Sequence, residues 1–240
     1  MLLRCIILNL TKYSDASLIV EAYSATEGRC AFLVKVSHNT RAAVRHTLFQ
    51  PLALLDVECH EARKPGQLLR PKSASAVLHD AQFQVPHPVR YSIALFLAEF
   101  LHHAVRHEPA SSAFFSYLEH SVTWLQTAEE DKLANFHLIF LLRLTRFFGI
   151  QPNLENPTNY FDLEQGCYVA LRPFHRHFIE GEEARQLATL VRFNFHTMHL
   201  MKISRDQRIR ILQGLLTYYQ LHLPNFPELK SVEILHQIFN

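Results

Sequence analysis

The sequence predicts an α+β protein, in which an N-terminal five-stranded OB-type β-barrel is followed by an all-α C-terminal domain with a loop-rich insertion. Two observations carry this prediction. Short apolar runs separated by turn residues fill the first third of the chain, whereas helical periodicity begins at Pro86 and continues from there. We therefore expect a barrel domain at residues 1–80 and a helical domain at residues 81–240, with the insertion at about residues 150–180.

The strands are predicted from apolar runs and from the turns between them. Gly28 ends an Ala-Thr-Glu-Gly turn and supplies the positive φ that a hairpin requires. Pro51 stands near the start of the fourth run, where its missing N–H costs least. The first run is rich in Leu and Ile, as in a strand that is buried on both faces. The predicted strands are residues 2–10, 17–24, 30–36, 49–59 and 68–78.

The helical domain is predicted from apolar periodicity and capping residues. Its most apolar helix ends at Gly149, a natural C-cap. A later helix starts with Ser204, and Gln207 completes a capping box. Proline, asparagine and glycine residues punctuate the insertion, which shows few regular signals. The predicted helices are one after Pro86, residues 111–125 and 135–148, a loosely defined segment at 182–195, one from Ser204, and residues 227–239.

Composition excludes several classes of protein. Apolar residues make up 48% of the chain, but there is no uninterrupted apolar run of about 20 residues, so we expect no membrane-spanning helix. The apolar N-terminus lacks the basic region and cleavage site of a signal peptide, and we interpret it as a buried strand. The four cysteines are scattered singly, without the spacing of a zinc knuckle or a disulfide framework. This pattern favours a reducing, cytoplasmic location.

A basic loop is the main sign of a binding function. The net charge is only +2, but residues 1–80 hold ten Lys and Arg against seven Asp and Glu, whereas residues 81–240 hold fourteen against fifteen. A cationic track neutralises phosphates, and aromatic rings such as Tyr13, Tyr23 or Phe32 stack on bases. The alternative is the ordinary polar rim of a β-domain. The predicted nucleic-acid contacts are Arg4, Arg29, Lys35, Arg41 and Arg45.

A second candidate site lies on the most apolar helix, where Arg143 and Arg146 interrupt the hydrophobic pattern and Phe140 and Phe147 lie nearby. Because a buried arginine is costly without a partner, we expect both guanidinium groups to reach a surface beside aromatic rings. Such a groove suits an acidic peptide that ends in Phe, although arginines that snorkel at a domain edge give the same pattern. Three further cations oppose the dipole of a later helix and are candidates for binding an anion or an acidic partner: Arg205, Arg208 and Arg210.

Enzymatic motifs are missing from the sequence. With six glycines, the chain has no glycine-rich phosphate loop and no nucleophile elbow. Its adjacent carboxylates, at residues 129–131 and 182–183, are typical of solvated surface. The sixteen histidines include three spaced pairs but no His-Glu-x-x-His motif, so we predict no catalytic residue, no metal site and no cofactor. The pairs are His103 and His107, His175 and His177, and His196 and His199.

Short motifs run through nearly the whole chain in a characteristic order. In the barrel they are YSDASLIV at residues 13–20, TEG at 26–28, Lys35, and FQPL at 49–52. In the helical domain they are YSIALFLAE at residues 91–99, NFHL at 135–138, FGIQP at 148–152 and KSVEIL at 230–235. In this order and spacing, they resemble the RecO family of bacterial recombination mediators.

The resemblance implies an OB-fold that binds single- and double-stranded DNA, followed by a larger helical domain. It implies annealing of complementary strands and, together with RecR, the loading of recombinase onto DNA coated with single-strand-binding protein. It implies no catalysis of bond breaking. The acidic C-terminal tail of single-strand-binding protein is implied to dock on the helical domain, for which the face with Arg143, Arg146 and Phe147 is the candidate. The implied location is cytoplasmic, at the nucleoid.

The sequence departs from the family pattern at two points. Many members carry a four-cysteine zinc site in the loop region, whereas residues 150–180 offer only Cys167, so we expect no zinc here. A glycine often follows the lysine of the basic loop in the family. In this chain Val36 follows Lys35, so we expect the loop to take a different path.

Two other functions stay open at this point. One is a protein–protein adaptor, whose helical domain binds partner peptides while the barrel makes little direct DNA contact. It predicts peptide binding with negligible DNA affinity. The other is a histidine-metal enzyme, which predicts stoichiometric zinc or iron in the purified protein.

Overall fold

The structure is a computed structural model that describes residues 1–36, 44–60, 67–78, 87–106 and 108–238. Three predicted features lie outside the described residues: Arg41 of the basic loop, His107, and the predicted domain boundary near residue 80. Contacts divide the chain into two compact units. The first comprises Met1–Thr127 with Leu229–Leu235, and the second comprises Ala128–Glu228 with His236–Asn240.

The first unit is built on a five-stranded antiparallel sheet, which confirms the five predicted strands. The strand order is β3-β2-β1-β4-β5, so β1 lies in the centre and β3 and β5 are the outer strands. β2 has the predicted bounds. The strands are β1 (Leu2–Ser14), β2 (Ser17–Ser24), β3 (Gly28–Lys35), β4 (Leu54–Cys59) and β5 (Pro71–Ala76).

Alternation along the strands places one apolar face of the sheet in a common core. The residues of this core include Cys5 and Ile7 of β1, Val20 of β2, Phe32 of β3 and Val57 of β4, all of them 0% exposed. The intervening Ile6 is buried as well, and β1 packs against a helix. This part of β1 is therefore buried on both faces, as the sequence predicted.

The two outer strands of the sheet approach each other at one point. An isolated parallel bridge joins Phe32 of β3 to Leu69, which shortly precedes β5. Leu33 donates its backbone N–H to the Leu69 carbonyl, and the Leu69 N–H donates to Ala31, both at 2.8 Å. Among the described residues this bridge is not extended into a ladder, so the sheet remains open.

Two long helices complete most of the first unit: α1 (Pro88–Ala104) and α2 (Ser112–Thr127). Gly28, at the start of β3, has a φ of 62° and lies so close to the chain after α1 that an added Cβ would be 2.9 Å from the Ala110 nitrogen. Glycine is therefore required there for both its φ and its size. Glu99 of α1 accepts the backbone N–H groups of Lys230 and Ser231 at 3.0 and 2.8 Å, and thereby caps the helix that begins at Ser231.

The second unit contains three of the α-helices that the structure describes and a small sheet, whereas the last helix lies mostly in the first unit. α3 (Phe136–Leu144) continues as a 3₁₀ turn (Thr145–Phe148) and ends at Gly149, whose φ of 68° confirms the predicted cap. α4 (Gly181–Leu190) and α5 (Arg205–His222) follow, and α6 (Ser231–Ile238) closes the chain. Ser204 accepts the Gln207 N–H at 3.2 Å and Gln207 accepts the Ser204 N–H at 3.0 Å, which confirms the capping box.

The second part of the chain is not all-α, because three short strands form an antiparallel sheet within the predicted insertion. The order is β7-β6-β8, with β6 (Tyr160–Asp162), β7 (Cys167–Val169) and β8 (Phe178–Glu180). Each strand has three residues, which is too short to produce a recognisable alternation in the sequence. No helix in the described part of the chain has the length and apolar character needed to cross a membrane.

Candidate nucleic-acid interface

Arg4, a predicted DNA contact, is held by two carboxylates. It lies on β1 directly opposite Asp56 of β4. Its guanidinium donates to Asp56 from Nε at 2.9 Å and from Nη2 at 3.0 Å, and to Glu119 of α2 from Nη1 at 3.1 Å. The hydrogen bond from Arg4 holds the pKa of Asp56 below its usual value. The charge of Arg4 is thus already neutralised within the protein.

Arg29, at the start of β3, is likewise engaged. Its Nη2 donates to Glu21 at 2.6 Å, and its Nη1 lies 3.5 Å from the His102 carbonyl of α1. Glu21 also accepts from Asn9 at 3.0 Å. Burial alone would raise the pKa of Glu21, but the hydrogen bonds from Asn9 and Arg29 lower it below its ordinary value. Arg29 and Glu21 form a partly buried pair between the sheet and α1.

Lys35 and Arg45 differ from Arg4 and Arg29 in their exposure and in their ion pairing. Both side chains are exposed, and neither makes an ion pair with any residue that the structure describes. Lys35 ends β3, six residues from Arg29, which corresponds to about 20 Å along the strand. Arg45 caps a 3₁₀ turn (His46–Leu48) that contacts β5. Of the predicted DNA contacts that are described, these two present free charge to solvent.

Two cations that the sequence did not single out follow Leu69, the residue that bridges to β3. Arg70 and Lys72 are exposed and are without an ion pair inside the described ranges. The parallel bridge from Phe32 to Leu69 sets the register: Lys35 lies three residues beyond Phe32, and Lys72 three beyond Leu69. A bridge between distant segments leaves no local pattern, so only the structure relates them. We name Lys35, Arg45, Arg70 and Lys72 the cationic edge.

One exposed aromatic ring lies at the same end of the sheet as Lys35. Tyr13 is 65% exposed near the end of β1. Its neighbour Ser14 pairs with Ser17, and Ser17 pairs with Lys35, so Tyr13 is two strands or about 10 Å from Lys35. The predicted stacking role of Tyr23 and Phe32 is wrong, since both rings are 0% exposed and form part of the core.

The four residues of the second candidate site differ in exposure. Phe140 is 1% exposed and stacks on Phe136 in the core, with ring centroids 5.9 Å apart. Arg143 donates from Nη2 to the Phe193 carbonyl at 2.7 Å, which fixes its guanidinium. Arg146 is exposed, and its guanidinium lies 4.6 Å from the centroid of the partly buried Phe147 ring. The exposed part of this site is therefore the pair of Arg146 and Phe147.

The three cations at the start of α5 have separate partners. Arg205 lies 3.3 Å from the His236 carbonyl. Arg208 donates to Asn135 at 3.1 Å, and burial lowers its pKa. Arg210 donates from Nε to Glu183 at 2.7 Å. The structure does not bring the three guanidinium groups together, and their role in binding an anion stays a prediction.

A four-cysteine zinc site does not fit this chain. Cys5, Cys30 and Cys59 lie in β1, β3 and β4, and burial is the largest cause that raises the pKa of Cys30 to about 12 and that of Cys59 to about 11. Three of the four thiols thus belong to strands of the first sheet, and only Cys167 belongs to the loop region. Cys167 in the small sheet has Gln165 as its polar neighbour, 4.0 Å from its sulfur.

Comparison with known proteins matches both halves of the chain to one family. A family model described as the N terminal of recombination protein O matches residues 1–77, and a model of its C terminal matches residues 86–232. The chain is 43% identical over 239 residues to the DNA repair protein RecO of Bacteroides fragilis, which covers 98% of this chain and 97% of that protein. It is 41% identical over 237 residues to that of Phocaeicola vulgatus, covering 98% and 97%, and 32% identical over 243 residues to that of Porphyromonas gingivalis, covering 99% and 98%.

Proposed function

Since this chain belongs to the recombination protein O family and to the proteins of DNA repair and recombination, we propose that it acts as a recombination mediator. It binds single- and double-stranded DNA and anneals complementary strands. With RecR, it helps to load recombinase onto DNA coated with single-strand-binding protein. These steps involve binding and strand annealing without a covalent reaction or a cofactor, and they take place in the cytoplasm, at the nucleoid.

The observation that carries the DNA-binding part of this proposal is the cationic edge. Phosphate binding requires positive side chains that are not already neutralised, because affinity comes from releasing the counterions of the nucleic acid. Lys35, Arg45, Arg70 and Lys72 meet this requirement within the described residues, and Arg41 belongs to the same loop in sequence. Arg4 and Arg29 instead support the sheet through their ion pairs.

The same edge supports an OB-type barrel. The bridge between Phe32 and Leu69 joins the outer strands of the sheet, and a barrel closes when its outer strands pair. In the closed barrel the cationic edge follows the seam between β3 and β5. Tyr13 lies on β1 at the same end of the sheet as Lys35, about 10 Å from it, and offers a ring for stacking on a base of the single strand.

We assign the dock for the acidic tail of single-strand-binding protein to the face that carries Arg143, Arg146 and Phe147, with Phe140 in the core beneath it. Arg146 gives a tail carboxylate a charged partner at the surface. The partly buried Phe147 ring, which lies 4.6 Å from the Arg146 guanidinium, supplies the apolar part of this face. Arg143, held by the Phe193 carbonyl, keeps a positive charge at a defined position.

Strand annealing tests the proposal as a whole. The full-length protein is given complementary oligonucleotides in three forms: bare, coated with single-strand-binding protein, and coated with that protein lacking its acidic tail. We expect annealing of the bare and fully coated strands, and a much slower reaction on strands with the tailless coat.

The adaptor alternative predicts a different pattern. It requires binding of the acidic tail without annealing of bare strands, and this result would overturn the DNA-binding part of the proposal. Equal annealing rates on strands coated with the complete and with the tailless protein would instead exclude the tail dock, while the DNA-binding part of the proposal would stand.

A further inference from the structure

Two histidines and two acidic residues converge beside the small sheet of the second unit. Glu164 lies in the turn between β6 and β7, and His175 and His177 lie in the segment that leads into β8. Each of these three residues offers one ligand atom, and the three atoms lie within 4.8 Å of one another. Among the residues that the structure describes, no other three His, Cys, Asp or Glu side chains converge in this way. We propose that Glu164, His175 and His177 bind one divalent transition-metal ion of the zinc class.

The distances between the ligand atoms suit such an ion. Oε1 of Glu164 lies 2.9 Å from Nδ1 of His177 and 3.6 Å from Nδ1 of His175. In a tetrahedral zinc site with bonds of about 2.0–2.1 Å, neighbouring ligand atoms are about 3.3 Å apart. The two observed distances lie on either side of this value. Small rotations of exposed or half-buried side chains are therefore sufficient to admit the ion.

A buried carboxylate orients one of the histidines. His175 Nδ1 accepts the backbone N–H of His177 at 3.2 Å, so its hydrogen is on Nε2, which donates to Asp162 at 3.1 Å. Asp162, whose side chain is 2% exposed, is itself fixed by the N–H groups of Glu164 and Gln165 at 2.8 and 3.1 Å. A carboxylate behind the imidazole fixes the tautomer in many metal sites. Nδ1 of His175 then carries a lone pair, which the ion would bind in place of the hydrogen bond from the His177 N–H.

The donor set selects the class of metal. Two imidazole nitrogens and one carboxylate favour zinc and its neighbours over magnesium or calcium, which prefer oxygen ligands alone. Three protein ligands leave a fourth position for water. His177 also lines a cavity of about 790 Å³. This donor set of two histidines and one glutamate differs from a four-cysteine zinc site in both charge and residue type.

An ion at this point would cross-link the small sheet. β6, β7 and β8 have three residues each, and the segment between β7 and β8 has little regular structure. Small elements with little core often depend on such a link. The ion would join the turn after β6 to the residues before β8 and thereby hold both edges of the sheet.

The test uses the full-length protein after treatment with a chelator. Zn²⁺ alone is titrated in the presence of a chromophoric chelator, which gives affinity and stoichiometry, and melting curves are recorded with and without the ion. Co²⁺ is added separately as a spectroscopic probe, because its visible bands report tetrahedral nitrogen and oxygen ligands. We expect one tight equivalent of Zn²⁺ per chain and a higher melting temperature with the ion bound.

Two variants and one control locate the site. Glu164→Gln and His177→Gln change half-exposed side chains. Loss of an outer-shell partner lowers metal affinity by a factor of about 10 to 100, so loss of a direct ligand in either variant should lower the affinity for Zn²⁺ by at least as much. His199→Gln removes an exposed histidine elsewhere and should leave the affinity unchanged. The proposal is overturned if the protein shows no saturable equivalent, or if the equivalent survives in both variants. Neither outcome depends on DNA binding.

Discussion

The guanidinium of Arg4 and the carboxylate of Asp56 form two hydrogen bonds, at 2.9 and 3.0 Å, across the central strand pair of the sheet. A residue that the sequence predicts as a DNA contact thus binds an acid of the neighbouring strand. We expect Arg4→Ala to lower the free energy of unfolding by about 1 kcal/mol or less, since both partners are partly exposed. The salt dependence of DNA binding should stay unchanged. Chemical denaturation measures the first effect and binding titrations measure the second. A smaller slope of log K against log salt in this variant would show that Arg4 contacts DNA after all.

For the cationic edge, unlike for Arg4, we expect substitution to change the salt dependence of DNA binding. The triple variant Lys35→Ala, Arg45→Ala and Lys72→Ala removes three exposed charges without ion pairs among the described residues. If each neutralises one phosphate, the slope of log K against log salt for single-stranded DNA should fall by about 2. Fluorescence anisotropy at several salt concentrations measures this slope.

A matched triple variant controls for net charge. Arg185→Ala, Arg192→Ala and Lys202→Ala removes three exposed cations of the second unit and should leave the slope as in the wild type. An equal loss in both triple variants would show that overall charge, and not the cationic edge, determines binding.

The tail dock is tested by the exposed arginine of its surface. Arg146→Ala removes a charge that lies over Phe147 and should weaken binding of an acidic peptide ending in Phe by about 1 kcal/mol, or about five-fold in Kd. Calorimetry with the peptide measures the change. Arg185→Ala, at another exposed site of the same unit, should bind the peptide as the wild type does. Unchanged affinity in Arg146→Ala would exclude this face.

Glu99 links stability to pH. Burial alone would raise its pKa, but the hydrogen bonds from Ser231 and Lys230 lower the pKa below the ordinary value. The capping interaction is therefore fully present above the unfolded pKa of about 4.3 and is lost as the pH falls through the lower pKa of the folded state. Glu99→Gln should cost about 1 kcal/mol at pH 7, as the loss of a helix cap does.

The gap in stability between the wild type and Glu99→Gln should close at acidic pH. Urea denaturation from pH 7 down to about pH 3 follows this gap. Glu27→Gln changes an exposed carboxylate of the same unit and serves as the control. If this difference in the free energy of unfolding stayed constant from pH 7 to about pH 3, the charge of the Glu99 carboxylate would contribute nothing to stability.

Local signals in the sequence predicted much of the fold. The bounds of β2, the cap at Gly149 and the capping box of Ser204 and Gln207 depend on residues within a few positions of one another. The predicted start of the last helix was too early by several residues. It begins at Ser231 because Glu99, far away in the chain, accepts the N–H groups there.

The candidate site was less accessible to prediction because it depends on long-range pairing. Whether a cation is free or paired is decided by its neighbours in space: Arg4 meets Asp56, and Arg29 meets Glu21 and His102. Lys72 joins Lys35 only through the bridge at Leu69. The same holds for Glu164 and His177, which lie on opposite sides of β7 in the sequence and 2.9 Å apart in space.

The bridge between Phe32 and Leu69 also has a consequence for the order of folding. The hairpin of β2 and β3 has only local contacts to form, whereas the bridge closes a long loop and must wait until the chain before β5 has been synthesised. A nascent chain that has completed β3 therefore carries Lys35 without its cationic neighbours Arg70 and Lys72. The cationic edge is therefore assembled late, after β5 has been synthesised. If this edge binds DNA as we propose, premature fragments of the protein should bind DNA more weakly than the complete chain does.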